Sequence, residues 1–208
     1  MSAFLVLVKR VPAAAWFTAA YVTVLSIIGG ARHEPFLWVY LPALVACIGI
    51  VVFIDHRYGP IPTPLLWLLT IWAALHLAGG LLPDPSGRKD ILYGFWLIDG
   101  VLRWDQVVHG FGIGAATATL AFAARDSGRP LMWGFVLAQV VGAVNETAEN
   151  VFARFVADSN VGDAVNTMWD LAWHVIGSTV AVLWMRRYGI PGGVQPEGYP
   201  SAMEERAG

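Results

Sequence analysis

The chain has 208 residues, 57% of them hydrophobic and 13% charged, with ten tryptophans and a formal net charge of -2. Soluble domains carry about 25% charged residues, so this composition excludes an ordinary soluble fold and points to an all-α, polytopic membrane helix bundle. The slightly negative balance argues against nucleic acid as a partner, and a lone cysteine, Cys47, excludes a disulfide framework.

The N-terminal stretch M-S-A-F-L-V-L-V-K-R carries its basic residues after the apolar ones. A signal peptide has the reverse order, so the first hydrophobic segment is expected to be retained. A helix needs about 20 mostly apolar residues to cross a bilayer. Six segments meet that requirement, at 11–30, 35–54, 64–82, 105–124, 131–154 and 163–184. Between the third and fourth lies 91–104, I-L-Y-G-F-W-L-I-D-G-V-L-R-W, apolar but too short to span and interrupted by Asp99 and two glycines. It reads as an interfacial or re-entrant piece, at its simplest a membrane-surface helix. Residues 1–187 form a single transmembrane domain, and 188–208, rich in Gly, Pro and Glu, read as a disordered tail.

Orientation follows from the basic residues of the loops. With six spans, Lys9, Arg10, Arg57, Arg125, Arg129, Arg186, Arg187 and Arg206 share one side, and Arg32, Arg88, Lys89, Arg103 and Arg154 the other. Eight against five places both termini in the cytoplasm of a cell whose inner membrane holds the bundle.

The polar residues of the last three spans fall in stripes. Asp105 and His109 are four apart on the fourth span, Glu146 and Glu149 three apart on the fifth, and Asn166, Asp170 and His174 step by four along the sixth. In this orientation the stripes lie at one depth, in the outer half of the bilayer, with His76 near the outer end of the third span. Taken alone, His76 is a satisfied core histidine. Gly110, Gly112 and Gly114 are expected to let helices approach closely.

An ionisable group at mid-membrane costs roughly 2.5–3.5 kcal/mol on insertion scales. Four acids facing lipid unpaired are therefore untenable, and Arg103 and Arg154 at the edges can pair with only one or two. A divalent cation neutralises several at once, and mixed carboxylate and imidazole ligands suit zinc, manganese or iron. The candidate ligands are Asp105, His109, Glu146, Glu149, Asp170 and His174, with Glu146 or Glu149 left as a general base toward water activated by the metal.

The same residues carry a family resemblance. R-W-D-Q-V-V-H-G-F-G resembles the R-Y-D-x-x-x-H-F segment of the YjdF-like bacterial membrane proteins. N-E-T-A-E-N resembles their Y-E-x-x-E-W at Glu146 and Glu149, and N-T-M-W-D-L their D-T-x-x-D, with Asn166 standing where that family tends to have Asp. More distantly, Asp170, His174 and Gly177 are similar to the Asp-x-x-x-Asn-x-x-Gly element of VanZ-like proteins, with His in place of Asn. The likeness covers 102–184. It implies a role in the cell envelope or in lipid chemistry.

The expected function is a metal-dependent hydrolase or transferase acting on a membrane lipid or lipid-linked substrate. A proton- or ion-coupled transporter is the alternative, since intramembrane acids also mark transport paths. The inner halves of the last three spans offer such a path only Gln139, Thr117, Thr119, Ser178 and Thr179. A non-catalytic partner of another membrane protein is the third reading. The chain has no G-x-S-x-G, Walker loop, dinucleotide fingerprint, H-E-x-x-H or C-x-x-C-H.

Overall fold

The computed structural model describes residues 2–88, 91–155 and 164–192. Lys89, Asp163, Arg206 and the tail residues 193–208, on which several expectations rest, lie outside this range. Among the described residues seven α-helices follow one another: α1 (Ala3–Arg10), α2 (Pro12–Ala31), α3 (Leu37–Tyr58), α4 (Thr63–Leu81), α5 (Trp104–Ala123), α6 (Pro130–Ala153) and α7 (Ala164–Tyr188). Five of them, α2 to α6, are long and apolar enough to cross a membrane. The sixth expected span is α7, whose 25 residues are ample in length; Asn166, Asp170 and His174 lower its apolarity. The short α1 was not foreseen. It is too brief to span, and Ser2 Oγ caps it by accepting from Leu5 N–H at 3.4 Å.

The helices start and stop where local chemistry says they should. Proline stands in the first turn of α2, α4 and α6, where its missing N–H removes no intrahelical bond. Gly59, at a φ of 95°, ends α3 in a conformation that side chains resist. At the start of α5, Gln106 Oε1 accepts from Arg103 N–H at 2.9 Å, and Asp105 sits in the first turn, where the helix dipole favours a negative charge.

The segment 91–104 is not a surface helix. After a 3-10 turn at Leu92–Gly94, β1 (Trp96–Ile98) pairs antiparallel with β2 (Leu102–Arg103), Trp96 opposite Arg103. The Asp99-Gly100 pair explains the hairpin, because Gly100 takes a φ of 72° and Asp-Gly is a strong turn signal. The hairpin leads straight into α5 and so sets where Arg103 and Asp105 stand.

Helix α5 is the centre of the bundle. Its buried residues run from Asp105 to Phe122, and it packs most extensively against α7, then α6, then α4. The other helices turn apolar side chains outward: Trp38 is 78% exposed, Val45 69% and Ile27 66%. A surface of this kind belongs in lipid. The α5–α7 contact is backbone on backbone. A Cβ on Gly177 would run into the Gly110 carbonyl, and one on Gly114 would lie 3.0 Å from the Gly177 oxygen. Gly112 instead makes room for the Trp72 indole of α4.

Arg10 pairs with Asp55, and Arg125 donates to the Tyr58 carbonyl. These bonds gather the C-terminal ends of α1, α3 and α5 at one end of the bundle. The start of the expected tail is part of the fold: α7 runs to Tyr188, and Ile190 is buried with Leu65, Phe122 and Met185. An apolar residue just past the helix end has a core within reach.

Candidate metal centre

The opposite end of the bundle holds the polar residues. Asp105 and His109 come from the first turns of α5, Glu146 from the last turns of α6, and Asp170 and His174 from the first half of α7. All five are buried; Asp170 and His174 are each 1% exposed and Glu146 4%.

His109 is the hub. Its Nδ1 lies 2.8 Å from His174 Nε2 and 3.2 Å from Glu146 Oε1, and His174 Nε2 lies 3.6 Å from that same oxygen. Four ligands held at about 2.0–2.1 Å around a tetrahedral zinc stand roughly 3.3 Å from one another. The three observed separations bracket that value. Glu146 Oε1 accepts no hydrogen bond among the described residues, although both imidazoles adjoin it. His109, Glu146 and His174 thus bring three potential ligand atoms together, the two imidazoles hydrogen-bonded to each other.

The far side of His109 is braced. Its Nε2 is 3.2 Å from Asp105 Oδ1. Asp105 Oδ2 in turn accepts from Arg103 at 3.0 Å and from Asn166 Nδ2 at 3.3 Å. Asn166 also donates to Asp170 Oδ2 at 2.6 Å. With a proton on Nε2, His109 donates to Asp105, and its Nδ1 accepts the 2.8 Å hydrogen bond from His174 Nε2–H. A carboxylate behind an imidazole is the usual device for fixing the tautomer and orientation of a metal ligand. Asp105, His109 and Asp170 form a second group whose ligand atoms lie within 4.8 Å of one another, and Asp170 Oδ1 is buried without a hydrogen-bond partner among the described residues.

Five of the six candidate residues are thereby brought together, and Glu149 is not among them. It accepts from Asn145 Nδ2 at 2.8 Å and lines a neighbouring cavity with Tyr40, His76 and Tyr93. His76 is satisfied where it stands, its Nδ1 lying 2.5 Å from the Tyr93 hydroxyl. Of the two edge arginines, Arg103 does pair with an acid, whereas Arg154 is exposed at the end of α6. The sequence reading missed the brace supplied by Asn166 and the Asn145–Glu149 bond; the four-residue spacings Asn166–Asp170 and Asn145–Glu149 were the available signals.

An apolar cavity of about 350 Å3 runs between α3, α4, α5 and α6, walled by residues such as Ile50, Leu69 and Val144, and it reaches His109 and His174. Below the cluster the polar side chains are engaged. Thr117 and Ser178 hydroxyls lie 2.8 Å apart, Gln139 donates to Ser178 at 2.7 Å, and Thr117, Thr119 and Thr179 each donate to a carbonyl one turn back.

Residues 13–190 match the family described as Predicted membrane protein (DUF2238), and the chain belongs to that family. No curated protein and no solved structure matches it.

Proposed function

We propose that this member of the DUF2238 family is a metal-dependent hydrolase or transferase acting on a lipid or lipid-linked substrate, with His109, Glu146 and His174 as the metal ligands. The observation that carries the reading is the convergence of three ligand atoms from three helices, 2.8 to 3.6 Å apart, around a glutamate oxygen that receives no aligned donor. A cation beside a buried carboxylate oxygen in that state would offset the cost of taking its charge out of water. Zinc, manganese or iron suits the donor set, and two histidines with one glutamate is a ligand set of catalytic zinc sites. A divalent ion there would polarise a carbonyl or phosphoryl oxygen and make a nearby water more acidic.

The protein's own groups supply the rest. Asp105, held by Arg103 and Asn166, orients His109. In hydrolysis, water adds to the acyl carbon or phosphorus and the bond to the leaving oxygen breaks. Asp170, through the Oδ1 atom left without a hydrogen bond, accepts the water's proton and returns it to the leaving oxygen. The apolar cavity that ends at His109 and His174 suits a hydrocarbon chain. Both termini in the cytoplasm would set the site in the outer half of an inner membrane. The YjdF-like and VanZ-like motif resemblance belongs to this proposal, since it ties the site to the cell envelope.

Transport is the weaker reading. The hydroxyls of Thr117, Thr119 and Thr179 donate to their own helices, so they offer an ion no ready ladder to the other end. The test is turnover of ester and phosphoester lipids in mixed micelles by metal-loaded protein. Product release is expected from the wild type and its loss in His174→Ala. Uptake of protons or ions into liposomes that survives in the absence of any lipid turnover would overturn the reading.

A further inference from the structure

The cavity beside the metal centre has a different chemistry from the centre itself. Its volume is about 130 Å3, close to the roughly 150 Å3 that holds a benzene ring in an engineered protein cavity. Aromatic rings form a continuous wall. Phe152 lies 5.4 Å from Phe36, Phe36 stacks on Tyr40 at 5.6 Å, and the His76 ring stands 5.0 Å from Tyr40 and 5.6 Å from Tyr93.

The wall is built in. Helix α4 carries consecutive glycines where the two tyrosines seat: a Cβ on Gly79 would lie 2.6 Å from the Tyr93 ring, and one on Gly80 would run into the ring of Tyr40. The Tyr93 hydroxyl is fixed on His76 Nδ1. Into this aromatic enclosure comes one carboxylate with no basic partner. Glu149 accepts from the neutral amide of Asn145, and among the described residues the four Arg ion pairs go to Asp55, Glu34, Asp99 and Asp105. Asp105, also in the wall, has Arg103.

Aromatic faces attract a cation through their quadrupole, and aromatic cages with an acid are how proteins bind substituted ammonium groups. A hydrated inorganic cation would gain little from four aromatic rings, and a neutral ligand would bring Glu149 no counterion. We propose that Phe36, Tyr40, Tyr93, Phe152 and Glu149 form a binding site for an alkylammonium group, such as the amine head of a lipid. The lipid assignment rests on the function proposed above; the ammonium chemistry does not.

The test is calorimetric titration of the full chain in maltoside micelles with choline chloride and with its uncharged isostere 3,3-dimethylbutanol. Choline should bind at least about ten times more tightly, and Glu149→Gln, which keeps the acceptor for Asn145, should erase that difference. Tyr40→Leu provides a second variant that weakens choline without touching charge, with unfolding midpoints checking that both fold. Nanodiscs separate the sources of the amine. Weaker apparent choline affinity in phosphatidylethanolamine discs than in discs of uncharged galactosyl diacylglycerol, both of zero net charge, means the amine is carried by a lipid, and equal affinity in both means a free amine. Choline binding no tighter than the isostere, or unchanged in Glu149→Gln, overturns the proposal. Choline binding by a protein that retains no metal would instead overturn the enzymatic reading and leave this site standing.

Discussion

Asp105 touches Arg103, Asn166 and His109, and in the proposed site it holds an imidazole. Removing the charge while keeping the shape should therefore weaken the metal without destroying its ligands. Asp105→Asn is expected to lower metal affinity by about 10–100-fold, whereas His174→Ala should abolish it; competition against a chromophoric chelator reads both. Equal affinity in Asp105→Asn and wild type would remove Asp105 from the site. Much of this was readable beforehand, because a spacing of four puts Asp105 under His109 and Asp170 under His174 on one helical face. A spacing of three is looser. Glu146 and Glu149 are offset by about 60° around a helix of 3.6 residues per turn, enough to send one to the histidines and the other to the aromatic cavity. The cavity itself was hidden, since Phe36, Tyr40, Tyr93 and Phe152 come from distant parts of the chain and look like ordinary apolar residues.

At the level of elements, the site depends on how closely α5 and α7 approach. The Gly110–Gly177 contact leaves no room for a methyl group, and pushing the helices apart would move His109 from His174. Gly177→Ala should cost about 1–3 kcal/mol as an overpacked contact and lower metal retention with it. Gly49→Ala is the control, because nothing lies within 4 Å of a Cβ there, and it should be neutral or slightly stabilising. Thermal unfolding in detergent compares the two; equal midpoints would show that the contact yields. The helices themselves were legible from apolar length, and the three glycines of α5 from their spacing. The hairpin was misread because its apolar strands resemble a short helix, although Asp99-Gly100 marks the turn. The short α1 was lost beside the long span that follows it.

Across the whole molecule, polarity is divided between two ends. One end ties the C-terminal ends of α1, α3 and α5 together through Arg10, Asp55, Arg125 and Tyr58. The other gathers buried acids and imidazoles from α5, α6 and α7. Large apolar side chains such as Trp38, Val45 and Ile27 face outward. The membrane class followed from composition alone, and the need to neutralise buried acids from their place within apolar spans. Which acids meet was a matter of tertiary packing, set by the glycine contact and by Asn166 bridging Asp105 and Asp170. The central claim is that a metal ion supplies the missing charge. The most direct test is elemental analysis of the detergent-purified chain after exposure to zinc, manganese or iron, beside a Glu146→Ala/His174→Ala double variant. The account predicts about one transition-metal ion per folded wild-type chain and none in the variant. A folded wild type that retains no metal under any of these conditions, or a double variant that retains as much, would contradict it.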